Sequence, residues 1–267
     1  MDINVKDQLG RPLTFKQYPK RIISLNPSQT ETIIDLGLEE QLVGITKFCV
    51  HPKHLRKDKK VVGGTKKVNF NTIRQLKPDI ILCNKEENTQ EIVATLEKEF
   101  PVHVSNVETI SQALEMIEQY GLLFNKESNA VKICSKINEH LQKFKLSTQN
   151  HSYKKVAYFI WKDPYMVVGG DTFIDHMLDI NKLKNVYKEK ERYPEITLEE
   201  LEKLKLDYIL LSSEPFPFKA KHKEELEKQF PKVIIKLVDG EYFSWYGSRL
   251  LKAFDYFNSL QKELKKS

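Results

Sequence analysis

The chain has 267 residues, which is enough for one large domain or for two domains of about 100 to 130 residues. Its composition, 40% hydrophobic and 30% charged, is that of a globular protein and excludes an intrinsically disordered chain. The net charge of +6 arises from 43 basic and 37 acidic residues interleaved throughout the sequence, with KHLRKDKK as the densest basic run, and this pattern argues against a nucleic-acid-binding protein.

The first half of the chain predicts a hairpin followed by alternating strands and helices. INVKDQLGRPLTF is typical of a hairpin with Gly10 at its turn. Residues 21–25 predict a strand, and the helical spacing of Thr30 to Leu36 ends at Gly37. Similar units continue to about residue 104, and their strands are apolar on both faces. Such strands favour a parallel sheet covered by helices on both sides.

Residues 126–146, KESNAVKICSKINEHLQKFKL, predict a long amphipathic helix. Its apolar residues lie three or four positions apart, and neither Gly nor Pro interrupts the run. Asn125 is its expected N-cap. At 1.5 Å per residue, this helix would be roughly 30 Å long. Strand and helix patterns begin again at Lys155, so the helix lies between two similar halves.

Three segments of the first half recur in the second half in the same order. The matches pair residues 73–82 with 201–210, 96–101 with 226–231, and 32–35 with 172–175. Their offsets are similar, as expected for a duplicated unit. We therefore predict three parts: an N-terminal α/β lobe (1–124), a connecting helix (125–150) and a C-terminal α/β lobe (151–267).

Ligands of open parallel sheets bind beyond the carboxyl ends of the strands, so the loops after each strand hold the candidate ligand-binding residues. In the first half these residues are Pro27, Ser28, Phe48, His51, Lys66 and Glu86. In the second half they are Trp161, Tyr165, Phe216, Phe218, Tyr242, Trp245 and Tyr246. The second set is aromatic. Together its members predict a stacking surface for a large flat ligand, although packing onto the core is the alternative for each one alone.

One cluster has the character of transition-metal ligands. Cys49, His51 and His54 place a thiol and two imidazoles within six residues, which would suit zinc or an axial site on a haem or cobalt centre. The alternative is a surface loop that happens to contain them. For Arg249, a structural ion pair and a ligand contact are both open.

Features of several other protein classes are missing from the sequence. It has no G-x-S-x-G, P-loop or G-x-G-x-x-G motif, so we expect a binding protein that is not an enzyme. Three cysteines do not form a disulfide framework, and Cys83 and Cys134 are expected in the core. The N-terminus has no apolar signal region, so we expect either a cytosolic protein or one whose signal was removed.

The chain resembles the substrate-binding proteins of ABC importers for vitamin B12 and ferric siderophores, the BtuF-like or helical-backbone metal receptor family. The resemblance rests on five stretches, DQLGRPLTF, PKRIISLNPSQTETIIDLGLEEQLVGIT, VGGTKKVNFNTIRQLKPDIIL, YMVVGGDTFIDHML and ITLEELEKLKLDYILL. It implies a fold like that of class III periplasmic binding proteins, in which one long helix joins two Rossmann-like lobes. It also implies that a ligand is held in the cleft between the lobes.

The resemblance also implies a function and roles for individual residues. The ligand would be a corrinoid, a ferric siderophore or haem, carried as cargo with no built-in cofactor. The partner would be an ABC permease, contacted by Glu199 or Glu200. Asn71 stands where the family commonly has the equivalent Glu of the first lobe, and Thr65 to Lys67 replace the stacking Trp of the vitamin B12 binders.

The resemblance places such a protein in the periplasm or cell envelope, and we expect a monomer. Because no signal peptide is present in the sequence, a cytoplasmic location is the alternative. Two other functions stay open at this point. One is a cytosolic metal-binding enzyme or metallochaperone that uses Cys49, His51 and His54. The other is a regulatory sensor with the same fold and no transporter.

Overall fold

The protein begins with an antiparallel hairpin, as the sequence predicts. The computed structural model describes residues 2–266, and its first strands are β1 (Ile3–Lys6) and β2 (Pro12–Phe15). Gly10 lies in the turn between them with φ of 78°, a left-handed conformation that side chains with a Cβ rarely adopt.

The first sheet has five parallel strands. They are β3 (Ile22–Ser24), β4 (Leu42–Ile45), β5 (Lys60–Val61), β6 (Ile80–Asn84) and β7 (Val102–Ser105), in the spatial order β5-β4-β3-β6-β7. The intervening helices are α1 (Pro27–Asp35), α2 (Leu55–Asp58), α3 (Phe70–Leu76) and α4 (Gln90–Leu96), with a 3-10 turn at Glu39–Gln41. Residues of β3, β6 and β7 are buried on both faces, as expected for a sheet between two helical layers.

Two long helices follow the first sheet, α5 (Ile110–Phe124) and α6 (Glu127–Thr148). The predicted helix of residues 126–146 corresponds to α6. The expected N-cap is wrong, because α6 begins at Glu127 and Asn125 has φ of 55° in the turn after α5. A left-handed residue just after a helix is a common C-terminal cap, and Asn tolerates that conformation.

The second sheet repeats the plan of the first. Its strands are β8 (Lys154–Trp161), β9 (Met166–Val167), β10 (Leu183–Asn185), β11 (Tyr208–Ser212) and β12 (Ile234–Val238). The order β10-β8-β11-β12 is parallel throughout, and β9 pairs antiparallel with β8. The helices are α7 (Phe173–Ile180), α8 (Leu198–Glu202), α9 (Ala220–Gln229), α10 (Gly240–Ser244) and α11 (Leu250–Lys266), with a 3-10 turn at Gly247–Arg249.

The two sheets correspond strand by strand. The order β4-β3-β6-β7 matches β10-β8-β11-β12, and α3 and α8 precede the equivalent strands β6 and β11. Even the N-caps correspond, since Asn69 caps α3 and Thr197 caps α8 at the same spacing from those strands. The predicted fold class is confirmed: two α/β lobes with parallel sheets, joined by the long helix α6.

The chain forms two compact units whose members differ from the predicted boundaries. The first unit runs through Val107 and adds Ser111–Asn138 and Trp245–Leu251. The second unit takes Glu108–Ile110, Glu139–Ser244 and the chain from Lys252 onward. The sequence-based boundaries, 1–124, 125–150 and 151–267, place Trp245–Leu251 in the C-terminal lobe, whereas in the structure this segment packs with the first unit.

Each lobe has its own hydrophobic core under its sheet. In the first lobe Ile23 and Ile81 pack with Leu96, and in the second lobe Ala157 and Ile209 pack with other buried apolar residues. Cys83 and Cys134 are buried free thiols. Within residues 2–266, no helix is both long enough and apolar enough to cross a membrane.

Candidate ligand-binding site

Three loops at the carboxyl edge of the first sheet are joined by one side chain. Asn88, in the loop after β6, is buried and donates from Nδ2 to the backbone oxygen of Leu25 at 3.2 Å and of Thr65 at 2.9 Å. Its Oδ1 accepts from the backbone N–H of Asn84 at 2.8 Å. The loops after β3, β5 and β6 are therefore held together by hydrogen bonds to Asn88.

The start of α1 lies in the same group of loops. Asn26 is its N-cap, and the side-chain oxygen accepts from the backbone N–H groups of Ser28 at 2.9 Å and Gln29 at 3.2 Å. Ser28 is only 3% exposed, and its hydroxyl also donates to the Asn26 side chain. Pro27 is half-buried at the first helical position, where its missing N–H costs nothing. The structure thus gives Ser28 a capping partner.

Phe48 is the exposed aromatic residue of this edge. It follows β4 and is 48% exposed, and the Lys47 Nζ lies 5.0 Å from the centroid of its ring. Gly64, in the loop after β5, lies beside the edge of the ring, since a Cβ at that position would be 3.2 Å from Phe48 Cε2. Lys66 is exposed and donates to the backbone oxygen of Glu86 at 2.5 Å. Phe48 and Lys66 therefore lie at a solvent-accessible part of the edge.

His51 and Trp245 are neighbours at this edge, although they are far apart in sequence. Their rings are 5.5 Å apart in an edge-to-face arrangement, and the Arg249 guanidinium lies 4.8 Å from the centroid of the Trp245 ring. Arg249 Nε donates to Glu31 Oε2 at 2.8 Å, and both side chains are less than a tenth exposed. Of the two roles open for Arg249, the structure shows the ion pair.

Tyr246 is a buried structural residue. It is 5% exposed, and its hydroxyl accepts from Gln29 Nε2 at 3.2 Å. The same Gln29 amide donates to the backbone oxygen of Cys83 and to Ser105 Oγ. Burial raises the pKa of Tyr246 well above its ordinary value. The residue therefore offers little ring surface to a ligand in this structure.

The three predicted metal ligands have separate partners. The Cys49 thiol lies 3.1 Å from Thr30 Oγ1, and burial raises its pKa, which disfavours the thiolate that binds metals. His54 Nε2 lies 2.7 Å from Glu39 Oε1, whereas His51 packs against Trp245. In the part of the chain that the structure describes, no group of three His, Cys, Asp or Glu residues could hold a metal ion. The metalloenzyme or metallochaperone hypothesis is therefore not supported.

In the second lobe, an aromatic cluster follows β8 and β11. Trp161 is 40% exposed, and its ring centroid lies 5.8 Å from that of Phe216. Phe216 in turn lies 4.8 Å from Phe218, which is 6% exposed and packs on Phe159 of the core. The cluster therefore runs from solvent into the core, with Trp161 at its exposed end and Phe218 at its buried end.

Tyr165 and Lys162 flank that cluster. The half-buried ring of Tyr165 is edge-to-face with Phe159 at 5.6 Å. The Lys162 ammonium pairs with Glu225 of α9 at 2.6 Å. Burial raises the pKa of Tyr165, so its phenol is protonated at neutral pH. Tyr165 can therefore act as a neutral hydrogen-bond donor.

Tyr242 lies after β12 and stacks on another tyrosine. Its ring is 4.6 Å from that of Tyr256 at an interplanar angle of 17°. The Tyr256 hydroxyl accepts from the backbone N–H of Asp239 at 2.8 Å, which fixes the stacking partner to the loop. Tyr242 is half-buried, so one face of its ring is already covered by protein.

Comparison with known proteins agrees with this architecture. The family model described as periplasmic binding protein matches residues 22–235, which cover strands of both sheets. The chain belongs to the periplasmic binding protein family. It is 28% identical over 216 residues to the uncharacterized ABC transporter substrate-binding lipoprotein YvrC of Bacillus subtilis, a match that covers 78% of this chain and 68% of that protein.

Solved structures share the fold of this periplasmic binding protein. The vitamin B12 binding protein BtuF of Vibrio cholerae superposes with a TM-score of 0.80 at 19% identity, over 93% of this chain and 99% of that one. A periplasmic haem-binding protein from Pseudomonas aeruginosa gives a TM-score of 0.78 at 19% identity, over 93% and 94% of the two chains.

The residues predicted to dock this periplasmic binding protein onto a permease lie in α8. Glu200 takes part in a capping box, because its carboxylate accepts from the Thr197 N–H at 3.2 Å while its own N–H donates to Thr197 Oγ1. Glu199 is exposed and makes no hydrogen bond or ion pair within residues 2–266. In the equivalent helix α3, Asn71 Oδ1 accepts from Arg74 at 3.1 Å. Docking through Glu199 or Glu200 stays a prediction.

Sequence reasoning missed the roles of Lys47 and Asn88. A lysine in a loop is usually expected to point into solvent, whereas the Lys47 ammonium lies over the Phe48 ring, a position that depends on the fold. The polar stretch from Asn84 to Asn88 predicts an exposed loop, yet Asn88 is buried. An Asn four residues after a strand end is a turn-forming residue, so that signal was present in the sequence.

Proposed function

We propose that this chain is the substrate-binding component of an ABC importer and that it captures a metal chelate, either a corrinoid, haem or a ferric siderophore. The observation that carries the proposal is the family match over residues 22–235. A relative is named an ABC transporter substrate-binding lipoprotein, and similar structures are named vitamin B12-binding and haem-binding proteins. Binding is therefore the expected activity, and the chelate is cargo.

The exposed aromatic residues support a chelate as the ligand. Phe48 follows strand β4 of the first sheet and Trp161 is the last residue of strand β8 of the second sheet, and each leaves much of its ring accessible. Aromatic faces stack on the flat conjugated surface of a macrocycle or an aromatic siderophore. Phe216, Tyr165, Tyr242 and Trp245 support these loops and complete the proposed contact set, together with His51, Lys66, Glu86, Pro27 and Ser28.

Fluorescence titration tests the proposal with Trp161→Ala. Cyanocobalamin, haem and ferric siderophores are titrated separately into the protein while tryptophan emission is followed. We expect at least one probe to bind, and we expect Trp161→Ala to weaken its binding by roughly tenfold, because one stacking face is lost. Trp245 remains as a reporter in the variant.

Tyr153→Ala is the matched control. Tyr153 is 49% exposed and immediately precedes β8, whereas Trp161 ends the same strand. A ligand at the carboxyl edge should not contact Tyr153, so affinity should be unchanged. If none of the probes changed the fluorescence or was retained on dialysis, the proposed ligand class would be wrong.

We also propose that the protein works as a monomer in the cell envelope and delivers its cargo to a permease. The name of the Bacillus relative, a substrate-binding lipoprotein, supports the location. The exposed carboxylate of Glu199 supports a docking role, since it is not engaged within its own lobe. Sedimentation of the purified protein gives its oligomeric state.

A further inference from the structure

Positive charge is concentrated in one segment of the first lobe. Residues 47–67 contain eight lysine and arginine residues and one acidic residue, Asp58. The formal excess of seven charges is larger than the net charge of +6 of the whole protein, so the remaining residues are close to neutral. This segment includes the loops that follow β4 and β5.

The fold brings Lys47 of this segment to the exposed ring of Phe48, with its Nζ 5.0 Å from the ring centroid. The backbone N–H of Lys47 donates to the Gly63 oxygen at 2.8 Å, which joins the loops after β4 and β5. A Cβ at Gly64 would be 3.2 Å from Phe48 Cε2 and 3.5 Å from Lys47 Cε, so both side chains lie over this glycine. Lys66 follows two residues later. We call Lys47, Phe48, Gly64 and Lys66 the basic patch.

The charges of the basic patch are only partly balanced by its neighbours. Lys47 lies over an uncharged ring, and Lys66 donates a hydrogen bond to a backbone oxygen, that of Glu86. The loop after β6 carries two carboxylates, those of Glu86 and Glu87. Lys53 and Lys57 of the same segment are exposed and are not among the side chains that pack at Gly64.

We infer that the basic patch selects an anionic metal chelate, with carboxylate or catecholate oxygens, over a neutral corrinoid or a neutral hydroxamate chelate. Lysine ammonium groups donate strong hydrogen bonds to oxyanions, and Phe48 adds a ring face for an aromatic or conjugated group. The local positive potential also speeds the approach of an anion. This inference rests on the proposed function and narrows its ligand class.

Two ferric chelates that differ in charge provide the test. A ferric tris-catecholate is trianionic and a ferric tris-hydroxamate is neutral, although both surround iron with oxygen ligands. Dissociation constants are measured by tryptophan fluorescence at low and at physiological ionic strength. We expect the tris-catecholate to bind at least roughly tenfold more tightly at low salt, and the difference to shrink as salt screens the charges.

Two double variants separate the basic patch from net charge. We expect Lys47→Gln with Lys66→Gln to weaken tris-catecholate binding by roughly tenfold and hydroxamate binding by a clearly smaller factor, so that the preference for the anionic chelate is lost. Lys53→Gln with Lys57→Gln removes the same charge from exposed positions of the segment and should change neither affinity. Equal losses in both double variants would overturn the inference.

The remaining outcomes distinguish this inference from the proposed function. Binding of cyanocobalamin or the neutral chelate as tightly as the tris-catecholate would overturn the ligand class and leave the importer role standing. If no chelate bound, both would be overturned.

Binding to vesicles that contain phosphatidylglycerol is measured as a further experiment. Loss of vesicle binding in the Lys47 and Lys66 variant, with chelate affinity retained, would assign the basic patch to a membrane surface and overturn the inference.

Discussion

The buried pair of Glu31 and Arg249 joins two distant parts of the chain. Glu31 lies in α1, whereas Arg249 follows α10, and the 2.8 Å hydrogen bond between them is almost completely shielded from solvent. Arg249 also lies over Trp245, so this pair orients an aromatic residue of the candidate site. Such a pair matters mainly because either partner alone would be a buried charge without its counterion.

Glu31→Gln should destabilise the protein markedly. The guanidinium of Arg249 would keep its charge and lose the carboxylate, at an expected cost of about 3 kcal/mol in the free energy of unfolding. Urea denaturation followed by tryptophan fluorescence measures the change. Glu99→Gln is the control, since Glu99 pairs with Arg74 at 2.7 Å on the exposed surface and should contribute little. Equal effects of the two substitutions would contradict the expectation.

Asp7 is a second buried charged residue with a clear physical consequence. It is 3% exposed, and its oxygens accept hydrogen bonds from the Arg11 side chain at 2.6 Å and from the Val104 N–H at 3.0 Å. Burial raises the pKa of Asp7, but these bonds and the backbone N–H of Arg11 outweigh burial and hold the pKa below its ordinary value. The charged form therefore stabilises the folded state.

Asp7→Asn should change how stability depends on pH. The pKa of Asp7 is lower in the folded state than in the unfolded state, where it is about 4. The stability that the Asp7 carboxylate contributes is therefore fully present above the unfolded-state pKa and is lost as the pH falls through the folded-state pKa. At pH 7 the variant should be less stable by roughly 2 kcal/mol, and the gap should shrink toward pH 2. Denaturant midpoints at several pH values measure it. Asp58→Asn, on the exposed helix α2, is the control and should not change stability in this way. If the stability difference between Asp7→Asn and the wild-type protein did not depend on pH, the charged Asp7 carboxylate would not be its cause.

Residue roles were the part of the site least accessible to sequence reasoning. Phe218, Trp161 and Tyr246 are aromatic residues that the sequence places in loops, yet only Trp161, the last residue of β8, is substantially exposed. The difference in exposure arises from residues elsewhere in the chain that cover the buried rings: Phe159 packs against Phe218, and Gln29 hydrogen-bonds to Tyr246. Loop composition predicts an aromatic set, whereas exposure depends on packing between distant segments.

At the level of elements, α5 and α6 meet at a position with no room for a side chain. A Cβ on Gly121 of α5 would be 2.7 Å from the Cβ of Ala130 and 3.2 Å from the Cα of Glu127 in α6. Glycine inside a helix weakens the helix by about 1 kcal/mol relative to alanine. Close approach of the two helices is therefore the reason for this residue.

Gly121→Ala should destabilise the protein in spite of the better helix propensity of alanine. The two helices would have to move apart, and overpacking of this kind costs roughly 1–3 kcal/mol. Thermal and urea unfolding provide the measurement. Leu122→Ala changes the next residue of α5, which is 51% exposed, and should have little effect. A more stable Gly121→Ala protein would show that the contact can relax.

Secondary structure was predictable where the pattern is long. The hairpin, the strands β3, β6, β8 and β11, and helix α6 all follow from local sequence. Helix α5 was missed although Ile110, Ala113, Ile117 and Phe124 recur at helical spacing, so the signal was available. Strands β5, β9 and β10 have only two or three residues, too few for a period-two pattern to be recognised.

At the scale of the molecule, the duplicated lobes have diverged in charge. Glu199 of α8 and Asn71 of α3 occupy equivalent positions two residues after their N-caps. Sequence comparison within the chain was enough to predict the duplication, because the matching segments keep their order and spacing. The return of Trp245–Leu251 to the first unit could not be predicted, since it depends on contacts such as that between Ser248 N–H and Thr32 Oγ1 at 3.1 Å.

Glu199→Lys should separate transport from binding. We expect uptake through the cognate permease to fall at least roughly tenfold because a docking carboxylate becomes a cation, while chelate affinity is unchanged. Uptake of labelled chelate in cells and fluorescence titration of the purified protein give the two readouts. Glu224→Lys, an exposed residue of α9, is the charge-matched control. Unchanged uptake in the Glu199 variant would remove this residue from the docking surface.

The hydrogen bonds of Asn88 also affect the thermodynamics of ligand capture. Because one buried amide holds the loops after β3, β5 and β6 together, these loops have little conformational freedom left to lose when a ligand arrives. Ordering flexible loops would otherwise subtract from the affinity. At this edge the entropy of binding should therefore reflect mainly the release of water from the ligand and from the exposed ring of Phe48.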